Sequence, residues 1–353
     1  MPDLLTTFAL IAVVLTIAGL ASGLVERAPI SFPIIFLSLG FLLGEHGLGI
    51  LTLGPENPLL ESVATLTLAL VLCLEGVRIG NESMEGAGAV PVLSLGPGTL
   101  IIVSVVAAGS YFLLGTSMVE SLLLGTILAS TDPVVLRDVV RNGRIPRSVR
   151  QALNIEAGTN DVVVLPMLLI LIAVANAEAS GVADWALFSV QVLLLGPAVG
   201  FTVGAAAAWL MSQAIERYAI SEVYQSLYGI GTVLLAYVCA QSLGGDGFLA
   251  AFAAGFAIAV LNLDLCQCFL DYGETTSEMA MLFAFILFGV VVSSLFVEVP
   301  LVPALLLALV VIFVARPLAI WVVLRGPQSA TRQRRSSDGS GHAASTLCSW
   351  HCW

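Results

Sequence analysis

Charge is scarce in this sequence, and lysine is absent altogether. Only 10% of the 353 residues are charged, whereas 58% are hydrophobic, and the mean hydropathy is +1.02. Soluble proteins carry about 25% charged residues, so this composition excludes an ordinary soluble domain. It indicates an all-α polytopic membrane protein, because a lipid-spanning chain must satisfy its backbone hydrogen bonds within each helix.

Cysteine and histidine are also few, with six and three residues. Cys73 and Cys239 fall inside apolar segments, and Cys266 and Cys268 are too close together to resemble a zinc pair. The cysteines and histidine near the C-terminus lack a second pair of ligands. We therefore expect neither a disulfide framework nor a metal cofactor, and no other cofactor is indicated.

Apolar segments, each bounded by Gly, Pro or charge, predict about 11 transmembrane helices. The first has no basic residue before it and is long enough to cross a bilayer, so we interpret it as a retained span and not as a signal peptide. The second and ninth are short for a membrane of about 30 Å. The segments are 4–24, 30–44, 61–77, 90–114, 119–140, 150–176, 185–211, 221–243, 247–262, 276–297 and 300–325.

The arginines test this count, because short loops rich in basic residues stay in the cytoplasm. With the N-terminus outside, the cytoplasmic loops contain the arginines, whereas the outside loops contain acidic residues and no arginine. The exception is Arg316, which lies inside a span. This predicts a multi-pass protein of the cytoplasmic (inner) membrane with a cytoplasmic C-terminus. The loop and tail arginines are Arg27, Arg78, Arg137, Arg141, Arg144, Arg147, Arg150, Arg217, Arg325, Arg332, Arg334 and Arg335.

The composition changes abruptly after Arg325, where Gly, Ser, Gln and Arg replace the apolar residues. Such a segment cannot bury enough apolar surface to fold. The sequence predicts a membrane domain over residues 1–326 and a disordered polar tail over residues 327–353.

Small residues predict close helix packing at two places. Gly196, Gly200 and Gly204 recur every four residues, and a run of small residues extends from Ala250 to Gly255. Small residues let transmembrane helices approach closely. We interpret both as packing surfaces within the chain, with subunit contact as the alternative.

Carboxylates inside apolar segments are the candidate functional groups. A charge at the bilayer centre costs at least about 2.5–3.5 kcal/mol, so such residues mark ion or proton sites that face the protein interior. Asp132 precedes Pro133, which disfavours helical backbone before it, and the fifth span is therefore expected to unwind at Thr131 and Asp132. Unwound backbone in a membrane lines a cavity where ions can bind. The alternative is a kink with a hydrogen-bonded aspartate.

The sixth predicted span carries two further carboxylates that point in different directions. Glu156 and Asn160 share a helix face, whereas Asp161 lies about 140° around the helix from Glu156. They are therefore expected to have different partners. Arg316, the basic residue within a span, is the candidate cation for Glu156.

Glu75, late in the third predicted span, is a further carboxylate at or near the membrane interior. It is either buried or extends to the cytoplasmic surface beside Arg78.

Four motifs resemble the NhaP-type sodium/proton antiporters of the monovalent cation/proton antiporter superfamily. They are Thr131-Asp132-Pro133-Val134, Glu156 with Asn160-Asp161, the segment 247–255, and Ala315-Arg316-Pro317-Leu318. The resemblance runs from the first span to about Leu324.

The resemblance implies a role for each site residue. Asp161 is the carboxylate that carries ion and proton, and Asp132 and Thr131 complete the Na⁺ site. Asn160 orients the helix break, Glu156 pairs with Arg316, and Glu75 is an accessory carboxylate near the site. It further implies a homodimer that is not an enzyme but exchanges Na⁺ for H⁺ electroneutrally, with Li⁺ or K⁺ as alternative cations. No role with nucleic acid is indicated.

One departure from the family pattern leaves other functions open. Family members usually have thirteen spans, so the last two helices are expected to be missing from a chain truncated at its C-terminus, with residues 327–353 as a candidate frameshift product. An inactive or regulatory remnant of an antiporter is therefore an alternative function. An intramembrane aspartyl protease is disfavoured, because Leu243-Gly244-Gly245-Asp246 lacks the first Gly of the Gly-x-Gly-Asp motif.

Overall fold

The computed structural model describes Thr16 and residues 32–82, 97–130, 163–172, 174–175, 191–218, 220–261, 263–295 and 300–325. These residues form helices and short connections, with no strand among them. The helices are α1 (Phe32–Leu43), α2 (Pro58–Glu82), α3 (Thr99–Leu114), α4 (Met118–Ala129), α5 (Val163–Ile172), α6 (Gly196–Tyr218), α7 (Glu222–Ser242), α8 (Gly247–Leu261), α9 (Leu263–Leu295), α10 (Leu301–Val310) and α11 (Arg316–Arg325).

Hydropathy located these helices well. Every predicted span except the first overlaps a helix of the described ranges, although α9 begins at Leu263, before the predicted start at residue 276. Of the first span only Thr16 is described, in helical conformation. Among the described residues, 5 helices are long and apolar enough to cross a membrane: Pro58–Gly80, Leu193–Tyr218, Val223–Ser242, Gly273–Leu295 and Leu301–Ala319. The segments predicted to be short are the 12-residue α1 and the 15-residue α8.

Helices α1, α2 and α6–α9 form one packed group, with α8 between α2 and α6. Gly200 and Gly204 of α6 face the backbone of Ala250 and Ala254 of α8, and a Cβ atom at Gly200 would lie 2.0 Å from the Ala250 carbonyl oxygen. The predicted packing role of both small-residue segments is confirmed, because only glycine permits this approach.

The other face of α8 is held as closely. A Cβ atom at Gly76 of α2 would lie 2.1 Å from the Phe252 carbonyl oxygen, and one at Gly255 would lie 2.0 Å from that of Cys73. On α1, a Cβ atom at Gly40 would lie 2.1 Å from the Ile286 carbonyl oxygen of α9. The backbones in this group are therefore in direct contact.

These contacts fix the relative directions of the helices. The order of the glycine contacts shows that α2, α6 and α8 run parallel, as α1 and α9 do. Leu60 and Val63, early in α2, pack with Leu287 and Val290, late in α9, so the two sets are antiparallel. This is the alternation that the predicted order of spans requires.

Helices α3, α4, α10 and α11 form a second packed group. Gly115, with φ 68°, closes the α3 helix, and Ser117 and Glu120 form a capping box that begins α4. The shared core contains Val106 of α3 and Ala129 of α4, and Met167 of α5 packs against it. Within the described part of the chain, each helix makes its extensive contacts inside its own group.

Candidate functional site

The structure describes the residues that flank the predicted ion site. Glu75 and Arg316 lie in the described ranges. The other predicted site residues lie outside them: Thr131, Asp132, Glu156, Asn160 and Asp161.

Helix α4 ends two residues before the Thr-Asp-Pro motif. Its last residue is Ala129, and Ser130 is extended, with φ −62° and ψ 143°. Ala129 is 1% exposed, so the end of the helix lies in the protein interior. The last carbonyl groups of a helix have no partner within it, and this end therefore presents acceptor oxygens and the negative end of the helix dipole.

Arg316, at the start of α11, contacts this helix end. Its Nη2 atom donates a hydrogen bond to the Ser130 carbonyl oxygen over 3.2 Å. The predicted partner, Glu156, is outside the described residues, so the pairing with Glu156 stays a prediction. The observed contact places a positive charge at the negative end of α4, where it is favourable.

A π-turn over Val311–Ala315 precedes Arg316. The amide of Arg316 donates to the Val311 carbonyl, five residues back, and Pro317 has no amide hydrogen to donate. The Ile312 carbonyl is thereby left without its helical donor. Such interruptions are frequent at functional sites in helices.

The helix after the Asn-Asp motif joins the same group. Helix α5 begins at Val163, two residues after Asp161. Val164 is buried, and Met167 packs against the core shared by α3, α4 and α10. One helix group thus holds the residue before Thr131, the helix that follows Asp161, and Arg316.

Glu75 lies in the other group and is buried, with 3% of its surface exposed. Its Oε1 atom accepts a hydrogen bond from Nη1 of Arg78 over 2.9 Å. The alternative in which Glu75 extends to the surface is therefore wrong. Glu75 does lie beside Arg78, as that alternative also proposed. Arg78 is the residue that reaches outward, with 33% of its side chain exposed.

Arg78 makes a second ion pair that sequence reasoning missed. Its Nη2 atom lies 2.5 Å from Oε1 of Glu274 on α9, a carboxylate with 43% of its side chain exposed. Glu274 precedes the tenth predicted span and lies at the membrane side predicted for Arg78. The predicted location of Glu274 and Arg78 on the same side of the membrane is the sequence signal that could have identified this ion pair.

Two further buried polar groups, those of Thr67 and Asp246, differ in their hydrogen bonding. The Thr67 hydroxyl of α2 is buried and has no hydrogen-bond partner among the described residues. Oδ1 of Asp246, between α7 and α8, accepts a hydrogen bond from the Leu249 amide over 2.8 Å and so caps α8. Burial raises the pKa of the Asp246 carboxyl, against the opposing effect of the Leu249 and Phe248 amides. Asp246 thus has a structural role in this fold.

Comparison with known proteins gives consistent matches. Residues 10–343 match the family described as sodium/hydrogen exchanger, transmembrane. The K(+)/H(+) antiporter NhaP of Alkalimonas amylolytica is 28% identical over 323 residues, which are 90% of this chain and 55% of that protein. The K(+)/H(+) antiporter NhaP2 of Shewanella oneidensis is 28% identical over 334 residues, 91% of this chain and 56% of that protein. The chain spans about half the length of these relatives.

The fold has a solved counterpart. The sodium proton antiporter MjNhaP1 from Methanocaldococcus jannaschii, at pH 8, superimposes with a TM-score of 0.74 at 20% sequence identity. The match covers 92% of this chain and 80% of that one. At this identity the likeness shows a shared fold.

Proposed function

The chain belongs to the sodium/hydrogen exchanger family, an integral multi-pass membrane family, and we propose that it exchanges a monovalent cation for protons. The observation that supports this proposal is that one helix group contains Arg316, the residue before the Thr-Asp-Pro motif and the helix that follows the Asn-Asp motif. Arg316 donates a hydrogen bond to Ser130, and Met167 of α5 packs against the core of this group. A helix that ends inside such a group exposes polar backbone, which a membrane tolerates only where it lines a cavity.

Asp161 is the proposed carrier in this mechanism. Its carboxylate binds either one cation or one proton, and the site opens to one face of the membrane at a time. Asp132 and Thr131 supply further oxygen ligands at the unwound end of α4. Asn160 orients that segment, and Arg316 offsets the negative charge of Glu156 and of the helix end. Exchange of one cation for one proton moves no net charge.

Na⁺ is the proposed cation, with K⁺ as the alternative. The solved counterpart is named a sodium proton antiporter, whereas the two relatives described above are named K(+)/H(+) antiporters. Selectivity depends on the size and field strength of the ligand cage. Na⁺ and K⁺ should therefore be compared in the same transport assay.

The proposed location is the cytoplasmic membrane, as a homodimer with the N-terminus outside. The parallel directions of α2 and α6 support this orientation, because they place Arg78 and Arg217 at one end of the helix group. Basic residues gather on the cytoplasmic side. Cysteines introduced at Glu216 and Glu56 test it: a membrane-impermeant maleimide should label only the Glu56 position in intact cells. The reverse labelling would overturn the orientation.

Dissipation of a preformed pH gradient in proteoliposomes tests transport. We expect Na⁺, or K⁺ if it is the substrate, to collapse the gradient in the wild-type protein, and Asp161→Asn to abolish that response. A protonophore measures the full gradient in each preparation. No cation response from folded, inserted wild-type protein would contradict antiport and favour an inactive or regulatory family member.

A further inference from the structure

The span that carries Arg316 buries every fourth residue over most of its length. The buried residues belong to the core that α10 and α11 share with α3 and α4: Leu307, Val311, Ala315 and Ala319. Most residues between them are exposed. A regular α-helix does not keep such residues on one face, because each step of four residues adds a rotation of about 40°. The pattern therefore requires a longer turn within this span.

The π-turn over Val311–Ala315 supplies this longer turn. In a regular α-helix, Ala319 would lie about 120° around the helix axis from Leu307. A π-turn inserts one residue into the helix, which reduces that angle to about 20°. The buried face of the span is therefore continuous from α10 to α11 only because the π-turn lies between them.

The same inserted residue determines the direction of Arg316. Without it, Arg316 would lie about 180° around the axis from Leu307. That is the side of Leu305 and Leu309, whose side chains are exposed. With the π-turn the angle is about 80°, and the guanidinium reaches the Ser130 carbonyl oxygen at the end of α4. The hydrogen bond between Arg316 and Ser130 therefore depends on the π-turn.

Pro317, the second residue of α11, accounts for the π-turn. Proline has no amide hydrogen, and in a regular α-helix its ring would clash with the carbonyl group of the residue four positions earlier, here Phe313. A second π-turn, over Gln191–Leu195, is likewise followed by one residue and then by Pro197. The recurrence of this arrangement in a separate helix supports proline as the cause of the turn.

We propose that Pro317 is a positioning residue for cation/proton exchange. By imposing the π-turn, it directs Arg316 away from the exposed side of the span and toward the end of α4, beside the Thr-Asp-Pro motif. This inference rests on the proposed function, since it assigns Arg316 a role at the exchange site. Pro317 acts on that site through the direction of the Arg316 side chain.

Cross-linking of the purified full chain measures the direction of residue 316 without any transport. The double variant Ser130→Cys with Arg316→Cys is treated with a short bis-methanethiosulfonate reagent, and mass spectrometry quantifies the linked peptides. We expect linkage with Pro317 present and, in the Pro317→Ala background, only the background level of Ser130→Cys alone. Pro303→Ala is the matched control and should keep the linkage, because Pro303 lies in the first turn of α10, where a missing amide hydrogen costs no helical bond.

The initial rate of cation-driven pH-gradient dissipation in proteoliposomes tests whether this direction matters for exchange. For Pro317→Ala we expect the rate to fall about tenfold, the effect of losing one hydrogen bond from a charged donor. Pro303→Ala should leave it unchanged. Transposing residues 315 and 316, by Ala315→Arg with Arg316→Ala, should restore the rate in the Pro317→Ala background, because residue 315 of a regular helix lies at the angle that Arg316 has here. The same transposition with Pro317 present should lower the rate.

The outcomes separate this inference from the proposed function. Retained linkage in the Pro317→Ala background, or equal rates for Pro317→Ala and the wild type, would overturn the inference and leave antiport untouched. If Pro317→Ala does not fold, the transposed variant in that background decides: a restored rate supports the inference, and no restoration overturns it. Linkage that is lost as predicted in a protein without cation-driven flux would support the direction set by Pro317 and contradict transport.

Discussion

Two half-buried arginines of the described residues have different partners. Arg316 donates to a backbone carbonyl, whereas Arg78 bridges two carboxylates. The sequence alone identified Arg316 and Glu75 as candidate site residues, because a charged residue within an apolar segment can be recognised without a structure. Glu274 was missed because its partner lies 196 residues away, and only the packing of α2 on α9 brings them together.

Arg316→Gln tests the charge at the end of α4. The change removes a hydrogen bond from a charged donor, and we expect a loss of about 1.5–3 kcal/mol in the free energy of unfolding. Arg316→Lys keeps the charge and should lose less. Thermal unfolding of the purified protein measures both; equal stability of Arg316→Gln and the wild type would show that the contact with Ser130 contributes nothing.

Asp246→Asn tests the buried cap of α8 and its dependence on pH. Because the folded protein raises the pKa of this carboxyl, the stabilisation that it contributes is complete below its unfolded pKa of about 3.9 and is lost as the pH rises through the higher folded pKa. Asparagine keeps the acceptor without the charge. The stability of Asp246→Asn relative to the wild type should therefore increase from pH 4 to pH 7.

A variant without any cap provides the comparison. Asp246→Ala should lose about 0.5–2 kcal/mol at both pH values, because the Leu249 amide loses its acceptor. A relative stability of Asp246→Asn that is constant or falls between pH 4 and pH 7 would contradict the raised pKa.

At the scale of elements, the apolar segments predicted helices but not how each helix is interrupted. The break expected at Thr131 and Asp132 lies outside the described residues, yet α4 already ends at Ala129. The π-turn before Arg316 was not foreseen. The hydrophobicity of a segment indicates only its average burial. Whether a helix is interrupted within it depends on whether neighbouring groups can donate hydrogen bonds to the backbone carbonyl that the interruption leaves free.

The contact between α6 and α8 is an interface where a single methyl group should destabilise the fold. Gly200→Ala would place its Cβ atom against the Ala250 carbonyl oxygen, so we expect the helices to separate and the melting temperature to fall. Gly231→Ala on α7 is the matched control, because a Cβ atom there meets nothing within 4 Å. It should be neutral or stabilising, since alanine favours a helix more than glycine does. A smaller loss for Gly200→Ala than for Gly231→Ala would contradict this packing.

At the scale of the whole molecule, Arg316 lies in a different helix group from the ion pairs of Arg78. Glu75, Arg78 and Glu274 lie in one group, and Arg316 lies in the other with the ends of α4 and α5. The sequence predicted the family and the order of spans, because apolar segments and the Thr-Asp-Pro and Asn-Asp motifs are local. It did not predict the two groups, because the choice of helix partners depends on side-chain fit between distant segments.

The central claim is that one carboxylate, Asp161, binds either a cation or a proton. Proton release on cation binding tests it most directly: Na⁺ or K⁺ is added to the purified protein in weakly buffered detergent solution, and the pH change is converted to protons per chain. The account predicts saturable release of about one proton from the wild type and none from Asp161→Asn, as competition for a single site requires. Equal proton release from both proteins would contradict it.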